Sequence, residues 1–360
     1  MGEDIARENP TASQLGNSPE ISGEQLGPAE LSIRIDPAAL ANVEIRPPSA
    51  EQYARNAHLA PEQAASGLEA RVAELTKVLE ILKRLPEILN FEPGITLIVG
   101  ENGSGKSTLA KAICFVAEYI DHVERNFVDH GPMRAKELAF QSVFSSDGTH
   151  SETQSEKLAL SGLGALVAPA MLGGSRFRSE AAPYYMDVGE IYGRAIDIAR
   201  QLALDHHVPS VAVVHGNDGP IEVNTSTIVE GTGAFHIRSA RQTVDEELRY
   251  YRDHRLSQQR TRKRFNTARA SESGKQTTEV KGCIEFVDEP ENGLSPRRHQ
   301  RIEQEIYDVF GAADEGNIIV VPTNSVVLFE SNLPRIDLDY PERGVHKPSD
   351  YPESIEPVTL

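Results

Sequence analysis

The sequence predicts an α/β fold in which a mainly parallel β-sheet lies between layers of helices. An apolar strand at 95–99 leads into a glycine-rich loop and then into a helix-forming stretch. A second apolar strand, at 283–289, ends in two carboxylates, and a third, at 317–321, follows a helical stretch near 298–310. Strands that alternate with helices along a chain usually pair in parallel through crossover helices. These three units therefore predict the core.

The N-terminal elements come before the glycine-rich loop. Residues 1–29 are rich in Pro, Gly, Ser, Asn and Glu, which predicts a disordered tail. Apolar residues alternate over 31–35, the pattern of a half-buried strand. Over 61–85 they recur at spacings of three and four, so we expect an amphipathic helix that ends at Pro86. Its apolar stripe is shorter than a coiled coil requires, so it is expected to pack against the core of the same chain.

The stretch 125–270 is predicted to be an insertion into this core. It contains an expected helix at 188–204 and an expected hairpin with strands at 211–214 and 221–223. The predicted organisation is a tail, 1–29, and one domain, 30–360, whose core is formed by about 30–125 and 270–345.

Composition limits the class of protein. The chain has 360 residues, a formal net charge of −18 and two cysteines. The acidic balance argues against a general nucleic-acid coat protein, because phosphate backbones attract basic surfaces. The sequence shows no apolar run long enough to span a membrane and no signal-peptide pattern at its start. Cys114 and Cys283 provide neither a disulfide framework nor a metal-binding pattern. These features predict a cytoplasmic protein.

The glycine-rich loop fits the pattern G-x-x-x-x-G-K-[ST] at each fixed position. Its candidate ligand-binding residues are Gly100, Glu101, Asn102, Gly103, Ser104, Gly105, Lys106, Ser107 and Thr108. Glycines let backbone N–H groups approach phosphate oxygens, and the following helix directs its positive end toward the same anion. Lys106 is expected to reach the β- and γ-phosphates, and the Ser107 hydroxyl to bind Mg²⁺. The loop therefore predicts binding of ATP with Mg²⁺.

The two carboxylates that follow the second strand are the other candidate catalytic groups. Asp288 is expected to bind Mg²⁺, directly or through water. Glu289 is expected to act as a general base toward the attacking water, or at least to orient it. Together with Lys106, Glu289 is the predicted catalytic residue of an ATP hydrolase.

These two motifs resemble those of the ABC-type superfamily of P-loop ATPases. The segment Asp-Glu-Pro-Glu-Asn-Gly-Leu-Ser-Pro at 288–296 is similar to the variant found in soluble predicted AAA/ABC-like ATPases rather than in transporters. The resemblance covers about 88–114 and 280–325. It implies a P-loop NTPase three-layer core with an inserted subdomain, in which two copies of the chain sandwich two ATP molecules. It also implies a signature loop that caps the nucleotide of the neighbouring copy, for which Ser273 and Gly274 are the candidates.

The sequence departs from the family pattern at two positions and leaves a third open. The family usually places a histidine near the γ-phosphate, where this chain has Asn324. Asparagine donates a hydrogen bond but carries no charge, so slow turnover is expected. Glu285 interrupts the second strand and is expected at a sheet edge or paired, because an isolated buried carboxylate is costly. For the glutamine that senses Mg²⁺ in the family, Gln141 is the candidate.

A basic segment at 252–269 contains six arginines and one lysine, with Tyr250, Tyr251 and Phe265 nearby. Such a segment can contact nucleic acid through charge and aromatic stacking. The alternative of a solvated helix face, balanced by the acidic remainder of the chain, is favoured. A third possibility is contact with the nucleotide of the neighbouring copy.

The leading functional hypothesis is a Mg²⁺-dependent ATPase that acts as a homodimer in its ATP state. One alternative is an interaction switch that binds ATP and dimerises but hardly hydrolyses it. Another is the ATPase subunit of a transporter with a separate membrane partner. A P-loop kinase is disfavoured, because the residues after Glu289 resemble assembly features of ABC-type dimers.

Overall fold

The computed structural model describes residues 27–43, 45, 51, 61–123, 170–205, 212–214, 222–228, 235–239, 241–253 and 280–350, except positions 172, 242, 243, 295 and 312. Its strands are β1 (Gly27–Pro28), β2 (Glu30–Arg34), β3 (Ile88–Phe91), β4 (Gly94–Val99), β5 (Arg176–Arg178), β6 (Tyr184–Asp187), β7 (Ala212–Val214), β8 (Glu222–Ile228), β9 (Phe235–Ser239), β10 (Val280–Lys281), β11 (Ile284–Asp288), β12 (Ile318–Pro322), β13 (Arg335–Asp337) and β14 (Val345–His346). Its helices are α1 (Pro37–Ala41), α2 (Pro61–Arg84), α3 (106–123), α4 (Val188–Asp205), α5 (244–253), α6 (Pro296–His299), α7 (Ile302–Phe310) and α8 (Val326–Phe329).

A six-stranded sheet forms the centre of the fold, with strand order β14-β13-β4-β12-β11-β6. Neighbouring strands pair in parallel, apart from the antiparallel pair of β13 and β14 at one edge. The described chain thus has mixed α/β content with a largely parallel sheet, as the alternation of strands and helices predicted. The strands expected at 95–99, 283–289 and 317–321 are β4, β11 and β12, each within one residue at either end.

Apolar side chains cover both faces of this sheet, because successive residues of a strand point to opposite sides. On one face, Ile98 and Phe286 belong to a core that includes buried residues of α2 and α3. On the other face, Leu97 and Val287 belong to a second core with buried residues of α5 and α7. The sheet therefore lies between two helical layers.

A smaller antiparallel sheet, with order β3-β2-β5, flanks the centre. Its middle strand, β2, is the strand expected at 31–35. Residues 27–29 belong to the tail that was predicted to be disordered, 1–29, but the structure shows them ordered. Gly27 and Pro28 pair with β10, and buried Ala29 donates its N–H to the carbonyl of Gly316. The backbone of this segment finds hydrogen-bond partners, which orders it; residues 1–26 lie outside the description.

Two strands from the predicted insertion, 125–270, take part in the sheets of the core. β5 lies beside β2, and β6 lies beside β11 in the central sheet. The Tyr-Tyr-Met-Asp sequence of β6 lacks apolar alternation, so its strand state comes from pairing with β11 rather than from local pattern. The helix expected at 188–204 is α4, and the hairpin expected at 211–214 and 221–223 is β7–β8, extended by β9.

The helices follow their apolar patterns. α2, expected over 61–85, packs its C-terminal half on the core through Val78, Leu79 and Leu82. The helix expected near 298–310 is divided into α6 and α7. Side-chain hydrogen bonds from Arg298 of α6 to Glu305 of α7 connect the two helices. Within the described part of the chain, no helix combines the length and apolar character needed to cross a membrane.

Candidate nucleotide site

A cleft of about 360 Å³ opens where β4, β11 and β12 end. It is lined by the loop 102–108, by Glu289 and by Asn324. These three parts are distant in sequence and meet because the carboxyl ends of neighbouring parallel strands share one edge of the sheet. The cleft therefore brings together the glycine-rich loop at 100–108, here named the phosphate loop, and the acidic motif that follows β11.

The phosphate loop is shaped by its glycines and by α2, which packs against it. Gly105 has a φ of 93°, a conformation that residues with side chains rarely adopt. The Cγ2 atom of Val78 lies 2.6 Å from the position that a Cβ atom on Gly105 would occupy. Lys77 Nζ donates to the carbonyl of Gly103 at 3.1 Å. α3 begins at Lys106, so the positive end of this helix lies at the cleft.

The ammonium group of Lys106 is buried and folded onto the loop. Its Nζ donates to the carbonyl oxygens of Gly100 and Glu101, each at 3.0 Å. Burial lowers the pKa of Lys106, and the nearby carboxylates of Glu289 and Glu291 act in the opposite direction. A partly desolvated cation with exchangeable carbonyl partners is well suited to bind a phosphate anion.

Asp288 connects the end of β11 to the phosphate loop. Its Oδ1 accepts a hydrogen bond from the Ser107 hydroxyl at 3.0 Å, and its Oδ2 accepts one from the Tyr185 hydroxyl at 2.7 Å. Burial raises the pKa of Asp288 to about 6, against the lowering effect of the bond from Tyr185. Burial also raises the pKa of Tyr185 well above its ordinary value. The carboxyl group is thus held in place but remains titratable.

Ser107 and Asp288 fit the Mg²⁺ site that the phosphate loop implies. Mg²⁺ takes oxygen ligands and is usually held by one or two carboxylates together with nucleotide phosphates and water. Here a hydroxyl and a carboxylate stand 3.0 Å apart beside the cleft. Among the residues that the structure describes, no three His, Cys, Asp or Glu side chains form a metal site by themselves. A Mg²⁺ ion held by these two residues would take its other ligands from nucleotide and water.

Glu289 combines an unusual backbone conformation with a doubly bonded carboxylate. Its φ of 49° is positive, which is uncommon for a residue other than glycine. Its N–H donates to the carbonyl of Pro322 at 2.9 Å, which joins the ends of β11 and β12. Its Oε1 accepts from Asn324 Nδ2 at 2.9 Å and its Oε2 from Asn292 Nδ2 at 2.7 Å. Strained backbone conformations of this kind concentrate at functional sites.

Hydrogen bonds of Asn324 and of the next residue, Ser325, fix the backbone at this position. Its backbone N–H donates to Glu291 Oε1 at 2.6 Å. Burial raises the pKa of Glu291, while hydrogen bonds, including one from Thr323, lower it. The next residue, Ser325, caps α8 through Leu328 and also lies 2.7 Å from His299 Nε2. The amide of Asn324 is therefore presented to the cleft from a fixed backbone.

Five residues at or beside the site were not predicted: Lys77, Tyr185, Asp187, Glu291 and Asn292. Asp187 ends β6 in register with Asp288, binds Lys111 Nζ at 3.1 Å and accepts from the backbone N–H of Glu190 at 2.8 Å. The sequence carried a signal for the helix start alone, because Asp187 and Glu190 have the spacing of a helix-capping box at the start of α4, and this spacing does not place Asp187 beside Asp288.

Glu285 was expected at a sheet edge or paired. The edge position is wrong, because β11 lies between β12 and β6. The pairing is confirmed, because the Tyr251 hydroxyl donates to Glu285 Oε2. The ring of Tyr251 also stacks on Tyr184 with ring centroids 4.1 Å apart. A hydroxyl donor from α5 thus compensates for burial of the carboxylate.

Several candidate residues lie outside the described part of the chain. They are Gln141, Ser273, Gly274 and the portion 254–269 of the basic segment. At the start of that segment, Arg252 and Asp253 form an ion pair with 3.9 Å between Nε and Oδ1. The roles expected of the candidate residues stay predictions.

Residues 83–122 match the family model described as an AAA domain. The matched stretch contains the phosphate loop and nearly all of α3, and it supports a P-loop ATPase-like, nucleotide-binding domain. Comparisons with curated proteins and with solved structures found no significant match.

Proposed function

We propose that this chain binds ATP with Mg²⁺ in the cleft and hydrolyses the terminal phosphate. The observation that carries the proposal is the meeting of three sequence-distant parts around one cleft: the loop with Lys106, the acidic residue Glu289, and Asn324. Asp288 lies beside these parts and accepts a hydrogen bond from the Ser107 hydroxyl. The AAA-domain match over 83–122 supports the nucleotide-binding part of the proposal.

Each residue has one task in the proposed reaction. The loop N–H groups and the positive end of α3 hold the phosphates. Lys106 exchanges its carbonyl partners for β- and γ-phosphate oxygens and stabilises the charge that develops during transfer. Mg²⁺, which Ser107 and Asp288 would hold, neutralises phosphate charge when bound. Glu289 takes a proton from the attacking water or orients it, and Asn324 donates a hydrogen bond to the γ-phosphate.

We propose further that two copies of the chain enclose the nucleotide. The basis is the resemblance of 288–296 to the acidic motif and following loop of ABC-type ATPases. In this arrangement the signature loop of the second copy, with Ser273 and Gly274 as candidates, covers the γ-phosphate and excludes water from the reacting centre.

A second candidate function is an ATP-dependent interaction switch with little hydrolysis. The observation that favours it is the pair of amide donors on Glu289, one from Asn292 and one from Asn324. These two bonds occupy two of the carboxylate's acceptor positions and fix its direction, and Asn324 brings no charge to the phosphate. In this function ATP drives dimerisation, and phosphate release stays slow.

Phosphate release and oligomeric mass, both measured with Mg-ATP, test these functions. For an ATPase, wild type releases phosphate, Glu289→Gln accumulates an ATP-bound dimer, and Lys106→Ala loses both activities. For a switch, wild type dimerises with ATP and releases little phosphate. Lys83→Ala is the matched control, because Lys83 pairs with Glu80 on α2. A wild-type protein that binds ATP, stays monomeric and releases no phosphate contradicts both functions.

A further inference from the structure

We infer that Arg241 is a positioning residue that sets the orientation of the Glu289 carboxylate, an inference that rests on the proposed ATP hydrolysis. Arg241 lies just before α5, and its side chain is only 7% exposed. Its Nη1 donates to the carbonyl oxygens of Pro290 at 3.0 Å and Asn292 at 2.8 Å. One guanidinium nitrogen therefore binds two carbonyls of the turn that follows Glu289.

This turn presents the amide that contacts Glu289. The N–H of Asn292 donates to the carbonyl of Glu289 at 3.0 Å, and Asn292 Nδ2 donates to Glu289 Oε2 at 2.7 Å. Gly189 of α4 leaves the necessary space, because a Cβ atom there would lie 2.4 Å from Glu289 Oε2. Asn324 holds the other oxygen, so the direction of the carboxylate depends on both amides. The direction of the Asn292 side chain in turn depends on the backbone that Arg241 holds.

The guanidinium group is itself fixed by an ion-pair network. Arg241 Nε donates to Asp245 Oδ1 at 3.0 Å. Asp245 also accepts from Arg298 Nη1 at 3.0 Å, and Arg298 binds Glu305 through its Nε at 2.8 Å. Burial lowers the pKa of Arg241, and Asp245 acts in the opposite direction. A buried arginine held in this way has little freedom, so the carbonyls that it binds have little freedom as well.

α5 is attached to β11 at its other end too. Tyr251 of α5 donates its hydroxyl to Glu285 in the body of the strand. Arg241 and Tyr251 thus hold one helical segment against both β11 and the turn that follows it. This arrangement makes Arg241 part of a rigid support for the acidic turn rather than a surface cation.

Arg241 lies outside the nucleotide cleft. It lines a separate cavity of about 330 Å³ between α5 and α7, whereas the cleft is lined by 102–108, Glu289 and Asn324. Loss of Arg241 is therefore expected to change the chemical step and to leave ATP binding nearly unchanged. A displacement of about 1 Å in a catalytic group can cost about 100-fold in rate.

The test compares Arg241→Met with Arg335→Met in the full chain. Both arginines are buried and both donate to backbone carbonyls, but Arg335 binds Ser331 near the start of β13. We expect Arg241→Met to lower kcat about 10- to 100-fold, with the ATP dissociation constant within about twofold of wild type. Arg335→Met is expected to lower the melting temperature comparably and to leave kcat within about twofold.

Three further variants keep the inference testable if Arg241→Met fails to fold. Arg241→Lys keeps a cation beside Asp245 but loses the planar fork, so an intermediate loss of kcat is expected. Asn292→Ala removes the amide that contacts Glu289, so it should lower kcat as much as Arg241→Met does. The double variant should show no further loss of kcat. In a Glu289→Gln background, Arg241→Met is expected to have no effect on the residual rate.

The outcomes separate this inference from the proposed function. A wild-type protein that binds Mg-ATP without releasing phosphate overturns both. Wild-type turnover with an unchanged kcat in Arg241→Met and Arg241→Lys overturns the inference alone. A loss of rate that is just as large in Arg335→Met, or that persists in the Glu289→Gln background, also overturns it, because either result shows a general structural effect.

Discussion

The side-chain amide of Asn324 donates to Oε1 of Glu289 across 2.9 Å, which links the residues that follow β12 and β11. The contact places an uncharged donor next to the residue proposed to act on water. Lys106 is engaged in a similar way with the carbonyls of Gly100 and Glu101. In the proposed ATP complex both side chains donate to phosphate, so the chemistry of residue 324 is expected to influence the rate.

Replacement of Asn324 by His is expected to raise phosphate release about tenfold. A protonated imidazole keeps a hydrogen-bond donor at this position and adds a positive charge, and charge-assisted hydrogen bonds are roughly twice as strong as neutral ones. A tenfold gain corresponds to about 1.4 kcal/mol of transition-state stabilisation. The measurement is single-turnover phosphate release at saturating Mg-ATP.

Two controls accompany this replacement. Asn324→Ala removes the donor and is expected to slow release below the wild-type rate. Asn324→His combined with Glu289→Gln is expected to stay inactive, because the added charge acts only on a reaction that Glu289 supports. An Asn324→His protein that is no faster than wild type would show that residue 324 does not contact the reacting phosphate.

Lys77 is expected to contribute to ATP affinity through the shape of the phosphate loop. Its bond to the carbonyl of Gly103 fixes the tip of the loop, and Val78 packs against Gly105. We expect Lys77→Met to weaken ATP binding about fivefold, which corresponds to about 1 kcal/mol. Isothermal titration with Mg-ATP measures the change.

Lys83→Met is the matched control for Lys77. Both lysines lie on α2, but Lys83 pairs with Glu80 and does not contact the loop. Equal losses of affinity in the two variants would contradict a specific role for Lys77 and would point to a long-range effect of charge.

The elements that were predicted correctly are those with strong local patterns. The apolar strand at 95–99, the glycine loop and the helix over 61–85 each carry a signal that does not depend on distant residues. The position of the cleft can be inferred from the same motifs, because the ends of β4 and β11 lie at one edge of a parallel sheet.

The features that were missed depend on tertiary partners. β6 has no periodic pattern, and only its pairing with β11 shows that Tyr185 and Asp187 stand beside Asp288. No sequence pattern distinguishes Arg241 from the other arginines of the chain, and only the structure shows its contacts with Pro290 and Asn292. Long-range hydrogen bonds of this kind leave no trace in local spacing.

Tyr251→Phe is expected to destabilise the fold by about 1–3 kcal/mol. The change removes a hydroxyl that donates to buried Glu285, and a buried acceptor that loses a donor bears a cost of desolvation. The double variant Tyr251→Phe with Glu285→Met is expected to recover most of the loss, because removing both polar partners leaves an apolar contact. Urea unfolding of the three proteins measures these differences, and a double variant less stable than Tyr251→Phe would contradict the pairing.

Asp288→Asn is expected to make the nucleotide-free protein more stable than wild type at pH 7.5. Burial raises the pKa of Asp288 to about 6 from an ordinary value of 3.8. The native chain therefore binds this proton more tightly than the unfolded chain, and wild-type stability falls as pH rises from about 4 to 6. Above that window the penalty is on the order of 3 kcal/mol. Asparagine is neutral throughout, so the advantage of the variant should shrink as pH falls toward 4.

Thermal melts at pH 4.5 and pH 7.5 test this dependence, with Asp187→Asn as the neighbouring control. Asp187 binds Lys111, so its replacement is expected to lower stability at pH 7.5 instead of raising it. With Mg²⁺ and ATP the order of wild type and Asp288→Asn should reverse, because a charged carboxylate binds the proposed metal ion more strongly than a neutral amide does. A stability difference between wild type and Asp288→Asn that is the same at both pH values would contradict the assignment, since burial of the charged carboxyl group is the stated cause.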